Sequence, residues 1–226
     1  MEFNGRLIRI VAGQHGNERG PVRALEAYGI DFELGNPRAY EQNVRFIDKD
    51  LNASYNVDEK THESTRAEEL LGCISPDDVV LDFHTTSAKG PPFAILTDAT
   101  MLPLAERTGL RYAVLMTHNI KDGHALLNVR DGISIEISGY DTQSSFNNTL
   151  LIIDHLMSGK RTQLELYEVF ERITEPGEYE NFVACADGTI PVLVGEESYD
   201  FIGLRARKVA LQAILGARGR DQRYPQ

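Results

Sequence analysis

Apolar positions recur along this chain with two different periods, and the switching between them lays out an α/β pattern. Leu7-Ile8-Arg9-Ile10-Val11-Ala12 reads as a strand, stopped by Gly13. Gly20 to Tyr28 carries helical spacing, with Pro21 tolerated in a first turn that needs no backbone N–H. Thr65-Arg66-Ala67-Glu68 has the form of a capping box and predicts a helix entering Glu69-Leu70-Leu71. Val79-Val80-Leu81-Asp82-Phe83 is apolar almost without a break, as a strand covered on both faces is. Phe93 to Leu96, Ala113 to Met116 and Ile133 to Ile137 read as further strands, and helical patterns cover 100–108 and 143–158. The pattern predicts an α/β fold whose sheet is parallel or mixed and is flanked by helices.

After Ser158-Gly159-Lys160 the texture changes. Leu164 to Ile173 alternates, Pro176-Gly177 and Asp187-Gly188 are turn signals, and Pro191 to Val194 is another short strand candidate. The division expected is a first domain over 1–160 and a small β-rich C-terminal subdomain over 161–226, ending in a polar tail from Arg218 to Gln226.

Composition narrows the function classes. With 226 residues and 42% hydrophobic content, the chain can bury a full core without disulfides or a structural metal. A formal net charge of −11 repels phosphate backbones and anionic membranes, which argues against nucleic acid and membrane partners. The first residues carry neither a basic start nor an apolar signal core, so a soluble cytoplasmic protein is expected. Cys73 and Cys185 match no metal or redox spacing and are expected as buried free thiols.

Three stretches carry chemistry: Gly13-Gln14-His15-Gly16-Asn17-Glu18, Asp82-Phe83-His84-Thr85-Thr86 and Ser134-Ile135-Glu136-Ile137-Ser138. His15 and Glu18 share a side if a helix starts there, and His84 comes from the end of a buried strand, where ligands of open α/β sheets gather. Gly13 and Gly16 allow a sharp turn and a close backbone approach. Two imidazoles and one carboxylate make a catalytic zinc set with a position left open. Alone, His15 and Glu18 would read as a solvated ion pair, and Glu136 as an outward-facing strand residue. His62, His118, His124 and His155 read as surface or packing histidines.

The ordered set His15-x-x-Glu18, Arg45 to Asn52, Asp82-x-His84-x-Thr86 and Ile135-Glu136-Ile137 closely resembles the aspartoacylase and succinylglutamate desuccinylase family, relatives of the zinc carboxypeptidases. The resemblance covers about residues 7 to 140 and returns at Pro191 to Tyr199. It implies one zinc ion per chain on His15, Glu18 and His84, and hydrolysis of the amide bond of a small N-acyl amino acid or related compound. Zinc in such a site lowers the pKa of a water toward neutrality. Glu136 matches the general base, and its apolar strand setting should raise its pKa. Arg45 matches the arginine that polarises the scissile carbonyl; otherwise it would be a surface arginine paired with Asp48 or Asp50. Asn52, Tyr199 and Thr86 match substrate contacts.

The pattern breaks at Ala53, where the family carries an arginine that grips a substrate carboxylate, and at Leu126, where aspartoacylases carry a second such contact. Arg130 and Arg111 are the candidate replacements. A carboxypeptidase-type peptidase and a non-catalytic zinc-binding protein of the same fold are the alternatives, and the oligomeric state, a homo-oligomer included, stays open.

Overall fold

The computed structural model describes residues 1–116 and 123–210. His118 and the tail from Arg218 lie outside the described residues. In chain order the elements are β1 (Glu2–Phe3), β2 (Arg6–Ala12), α1 (Arg19–Tyr28), β3 (Glu33–Leu34), α2 (Pro37–Gln42), α3 (His62–Cys73), β4 (Val79–Thr86), β5 (Phe93–Leu96), α4 (Leu102–Ala105), β6 (Tyr112–Leu115), α5 (Leu126–Val129), β7 (Gly132–Ser138), α6 (Gln143–Ser158), β8 (Glu165–Ile173), β9 (Ile190–Val192) and β10 (Gly203–Lys208). Among the described residues, the strands form one mixed sheet in the order β1-β2-β4-β7-β5-β6-β8-β10-β9, with β3 pairing β2. β2, β4 and β7 run parallel, while β5 returns antiparallel to β7.

Strand alternation assigns the two faces of the sheet. Val79, Leu81 and Phe83 of β4 and Ile133, Ile135 and Ile137 of β7 enter one core with Val22 and Leu25 of α1 and Ile152, Ile153 and Leu156 of α6. Val80 of β4 and Val11 of β2 enter a second core on the opposite face, with Ala67 and Leu70 of α3 and Leu126 and Leu127 of α5. Asp82, His84, Ser134 and Glu136 therefore share that second face near the ends of β4 and β7. The parallel register sets Asp82 beside Ser134 and His84 beside Glu136.

The capping box lies four residues before its expected place. Thr61 caps α3, accepting from the Ser64 N–H at 3.1 Å while its own N–H donates to the Ser64 hydroxyl at 2.9 Å. Thr65 sits inside the first turn and donates to the Thr61 carbonyl. A Ser can close the box in place of Glu, which is why the Thr-x-x-Glu pattern points one turn too far along. The helical pattern over 100–108 breaks into a 3₁₀ turn at Ala99–Met101, α4, and a second 3₁₀ turn at Glu106–Thr108. Pro103, without an N–H, fits only at a helix start, so α4 begins anew there.

β8, β10 and β9 continue the sheet from β6, so the C-terminal β-rich segment is built onto the same sheet. Its inward residues Tyr167, Val169, Val192, Leu204 and Ala206 share a third core with Phe93 and Val114 of the preceding strands. Both cysteines are free, but Cys73 is exposed and Cys185 half-buried, which corrects the expectation of buried thiols. Cys73 is the last residue of α3, where a helix end meets solvent. Among the described residues no helix is long and apolar enough to cross a membrane.

Candidate metal centre

His15 and Glu18 lie on the link between β2 and α1. Gly13 turns the chain out of β2 with φ +69°, and a Cβ at Gly16 would stand 2.0 Å from the Ala39 carbonyl carbon. No other residue allows that approach. Glu18 is the last residue before α1, and its N–H donates to the His15 carbonyl at 3.0 Å, which folds the two side chains together. His84 projects from β4 onto the same point. Ligand atoms of His15, Glu18 and His84 all lie within 4.8 Å of one another, and all three residues are buried.

Both imidazoles present Nδ1 to Glu18. His15 Nδ1 stands 2.9 Å and His84 Nδ1 3.3 Å from Glu18 Oε1. The opposite nitrogens are each held by a carboxylate: His15 Nε2 lies 2.9 Å from Asp50 Oδ1, and His84 Nε2 lies 2.8 Å from Asp82 Oδ2. A carboxylate that accepts a hydrogen bond from Nε2–H fixes the tautomer that leaves the Nδ1 lone pair for a cation, which is the outer support metal-binding histidines usually have. Backbone N–H groups of Thr85 and His15 donate to the Glu18 carboxylate at 3.1 and 3.3 Å. The donor set therefore fits a divalent ion of the zinc type.

The electrostatics agree. Burial works against charge on all three groups, yet Glu18 with Asp50 raises His15, and Asp82 with Glu18 raises His84 well above its ordinary value. In return the two histidines hold the Glu18 carboxyl well below the carboxylate range despite its burial. A fully buried relay lies behind Asp82: Tyr55 donates to Gln14 Oε1 at 2.9 Å, and Gln14 donates to Asp82 Oδ2 at 2.5 Å.

A cavity of about 370 Å³, its open mouth included, lies over this point, lined among others by His15, Glu18, His84, Glu136, Glu196 and Tyr199. Glu136 is half-buried on the face shared with His84, so the alternation of β7 turns it into the site while its flanking isoleucines enter the core. Desolvation pushes its carboxyl up to about 7; Glu18 and Glu196 add to this, and His84 and His15 oppose it. Arg45 also lines the cavity, with Nη2 3.4 Å from Asp50 Oδ2, so it is at once a cavity residue and the partner of Asp50. Its loop is held firmly: buried Glu63 accepts from the N–H groups of Ile47, Asp48 and Lys49 at 2.7–3.2 Å.

Asn52 lines the cavity, its Oδ1 taken by the Leu126 N–H at 3.1 Å, which leaves its NH₂ as the donor. Tyr199 reaches the cavity from the turn between β9 and β10, and burial together with Glu136 and Glu196 raises its phenol far enough to stay protonated. Thr86 is placed differently. Its hydroxyl donates to Glu196 Oε2 at 2.5 Å, and it is the neighbouring Thr85 that lines the cavity. Neither candidate replacement arginine reaches the site: Arg130 donates to the carbonyls of Ile74, Val129 and Leu71, and Arg111 pairs with Glu165 over the Tyr112 ring.

Asp50, Gln14, Tyr55, Glu63 and Glu196 were not separable from surface or core residues by spacing. Asp82 had a signal, because two residues before His84 on a strand is the same face. His62, His124 and His155 stay apart from the metal group: His124 contacts the Tyr55 carbonyl, and His155 packs against Gly109.

Residues 29–136 match the succinylglutamate desuccinylase/aspartoacylase catalytic domain. Over these residues the chain is similar to that family. A probable aspartoacylase of Prochlorococcus marinus (strain MIT 9515) is 38% identical over 107 residues, 38% of this chain and 36% of that protein. One from Nostoc sp. is 32% identical over 104 residues, 36% of this chain and 35% of that protein. The matched segment thus spans about a third of the curated relatives' length. Murine aminoacylase 3 superposes with a TM-score of 0.70 at 17% identity, over 92% of this chain and 97% of that one. The succinylglutamate desuccinylase of Chromobacterium violaceum gives 0.68 at 16%, over 91% and 86%. These two likenesses extend the shared fold across β8 to β10.

Proposed function

We propose that the chain is a zinc-dependent deacylase that cleaves the amide bond of a small N-acyl amino acid or related compound. The observation that carries this reading is the convergence of His15, Glu18 and His84 beneath one cavity that also holds Glu136 and Arg45. When bound, a divalent ion supplies Lewis acidity to a scissile carbonyl and acidifies a water. Glu136, with a carboxyl near neutrality, takes the proton of the attacking water and passes it to the leaving amine. Arg45 stabilises negative charge on the carbonyl oxygen. Tyr199 and the Asn52 NH₂ group are donors placed to orient the substrate. The cavity suits a small molecule.

With Ala53 and Leu126 in the two carboxylate-gripping positions and Arg130 and Arg111 engaged elsewhere, Arg45 is the cavity's one arginine among the described residues. N-acyl amides are therefore the favoured substrates over free acids. The test is amine release from a panel of N-acetyl, N-formyl and N-succinyl amino acids and their amides. Zinc-loaded protein is expected to turn over a panel member, and Glu136→Gln to lose at least about 10³-fold with zinc retained. Normal turnover by Glu136→Gln removes that residue as the base. Silence of the zinc-loaded wild type across the panel favours a binding role for the same fold.

A further inference from the structure

Gln14 and Tyr55 stand outside the cavity lining and are fully buried, yet a chain of hydrogen bonds joins them to a metal donor. The Tyr55 hydroxyl donates to Gln14 Oε1 at 2.9 Å, Gln14 Nε2 donates to Asp82 Oδ2 at 2.5 Å, and the same oxygen lies 2.8 Å from His84 Nε2. Packing explains the Tyr55 ring, which shares the second core with Val11, Leu70 and Val80, but not its hydroxyl. The direction of every bond in the chain is set by its ends. A carboxylate accepts, so it must meet the amide NH₂; the amide oxygen then faces Tyr55, and the phenol must donate. Turned over, the amide would set Oε1 against Asp82 Oδ2 and 3.4 Å from His84 Nε2, where Gln14 Nε2 now stands. It would repel the carboxylate there and compete with it for the His84 N–H. Tyr55 also lies on the stretch that carries Asp50, the partner of His15 Nε2, so residues 50–55 back both histidines, one directly and the other through Gln14.

We infer that Tyr55 is a positioning residue for the metal centre: its hydroxyl fixes the Gln14 amide, so that Asp82 keeps the Nε2–H of His84 and His84 presents Nδ1 to the ion. This rests on the zinc part of the proposed function and does not depend on which bond is cleaved. Buried hydrogen bonds in a chain polarise one another, so loss of the phenol at the far end is felt at the imidazole. The Ser134 hydroxyl, 3.5 Å from Asp82 Oδ2, is too distant to take the place of Gln14.

The test is a cycle of wild type, Tyr55→Phe, Gln14→Met and the double variant, read by zinc affinity in competition with a chelator and by melting temperature with and without zinc. Tyr55→Phe keeps the ring and removes the hydroxyl, and is expected to weaken zinc binding about 10-fold, the lower end of the range for an outer partner of a metal ligand. If Tyr55 acts through Gln14, the double variant binds zinc within about two-fold of Gln14→Met alone, and the rise in melting temperature on zinc binding shrinks in both single variants. A merely structural role lowers the melting temperatures of metal-free and zinc-loaded protein equally and leaves the affinity at the wild-type value. That result, or single losses that multiply in the double variant, overturns the inference alone. Absence of zinc binding by the wild type overturns the metal-centre reading and the inference with it. Should Tyr55→Phe not fold, Gln14→Met is expected to show the same loss of affinity, and wild-type affinity there overturns the inference.

Discussion

The two sides of the cavity are built on opposite plans. The metal side stands on the parallel strands β2, β4 and β7, and each of its histidines is backed by a carboxylate within 2.9 Å. The wall side is a turn between two short strands, held by one carboxylate that reaches back to β4. A position fixed by a sheet can carry atoms that must meet within a few tenths of an ångström. A turn can carry groups that differ with the substrate, provided something ties it down.

Arg45 stands between the two plans, since its guanidinium lines the cavity and touches the Asp50 that supports His15. Arg45→Ala is expected to lower kcat by about 10²–10³-fold, the usual cost of removing a donor to a developing oxyanion, with metal content unchanged. Loss of the metal in that variant would make Arg45 part of the metal side and blur the comparison.

A smaller effect sharpens it through pH. In metal-free protein, His15 and His84 are raised above 6.5 and Glu136 above 4.5 to about 7. Groups with raised folded values bind protons more tightly when folded, so the stability they give is complete below their unfolded values and is lost as pH rises through the folded ones. Glu18 and Glu196 are lowered, and their contribution is lost only as pH falls below about 4.5. Metal binding needs the imidazoles deprotonated. The melting temperature of zinc-loaded protein should therefore exceed that of metal-free protein by a margin that widens from pH 6 to pH 8. A constant margin would mean that the histidines do not take part. The Tyr199 phenol stays protonated throughout, so the wall adds nothing over that range.

What was legible in the sequence follows the same division. Alternation in Ser134 to Ser138 and in Asp82 to Thr86 puts polar residues on one face, and the glycines around His15 mark the tight approach that brings it to β4. Local geometry encodes the metal side, so its residues can be read in order. Thr86 shows the limit: it shares a strand face with His84, but a partner 110 residues away takes its hydroxyl. Arg130 and Arg111 look available by spacing, yet backbone carbonyls and Glu165 claim them, contacts set only by the folded chain. The cap of α3 misleads for a local reason, because Ser64 serves where Glu is the commoner partner.

The most direct test of the central claim is the metal content of the protein after equilibration with zinc and removal of excess, measured by elemental analysis for wild type, Glu136→Gln and His84→Ala. One zinc per chain is expected in wild type and Glu136→Gln, with a large loss in His84→Ala. Wild type without zinc, or His84→Ala that keeps a full equivalent, would contradict the claim.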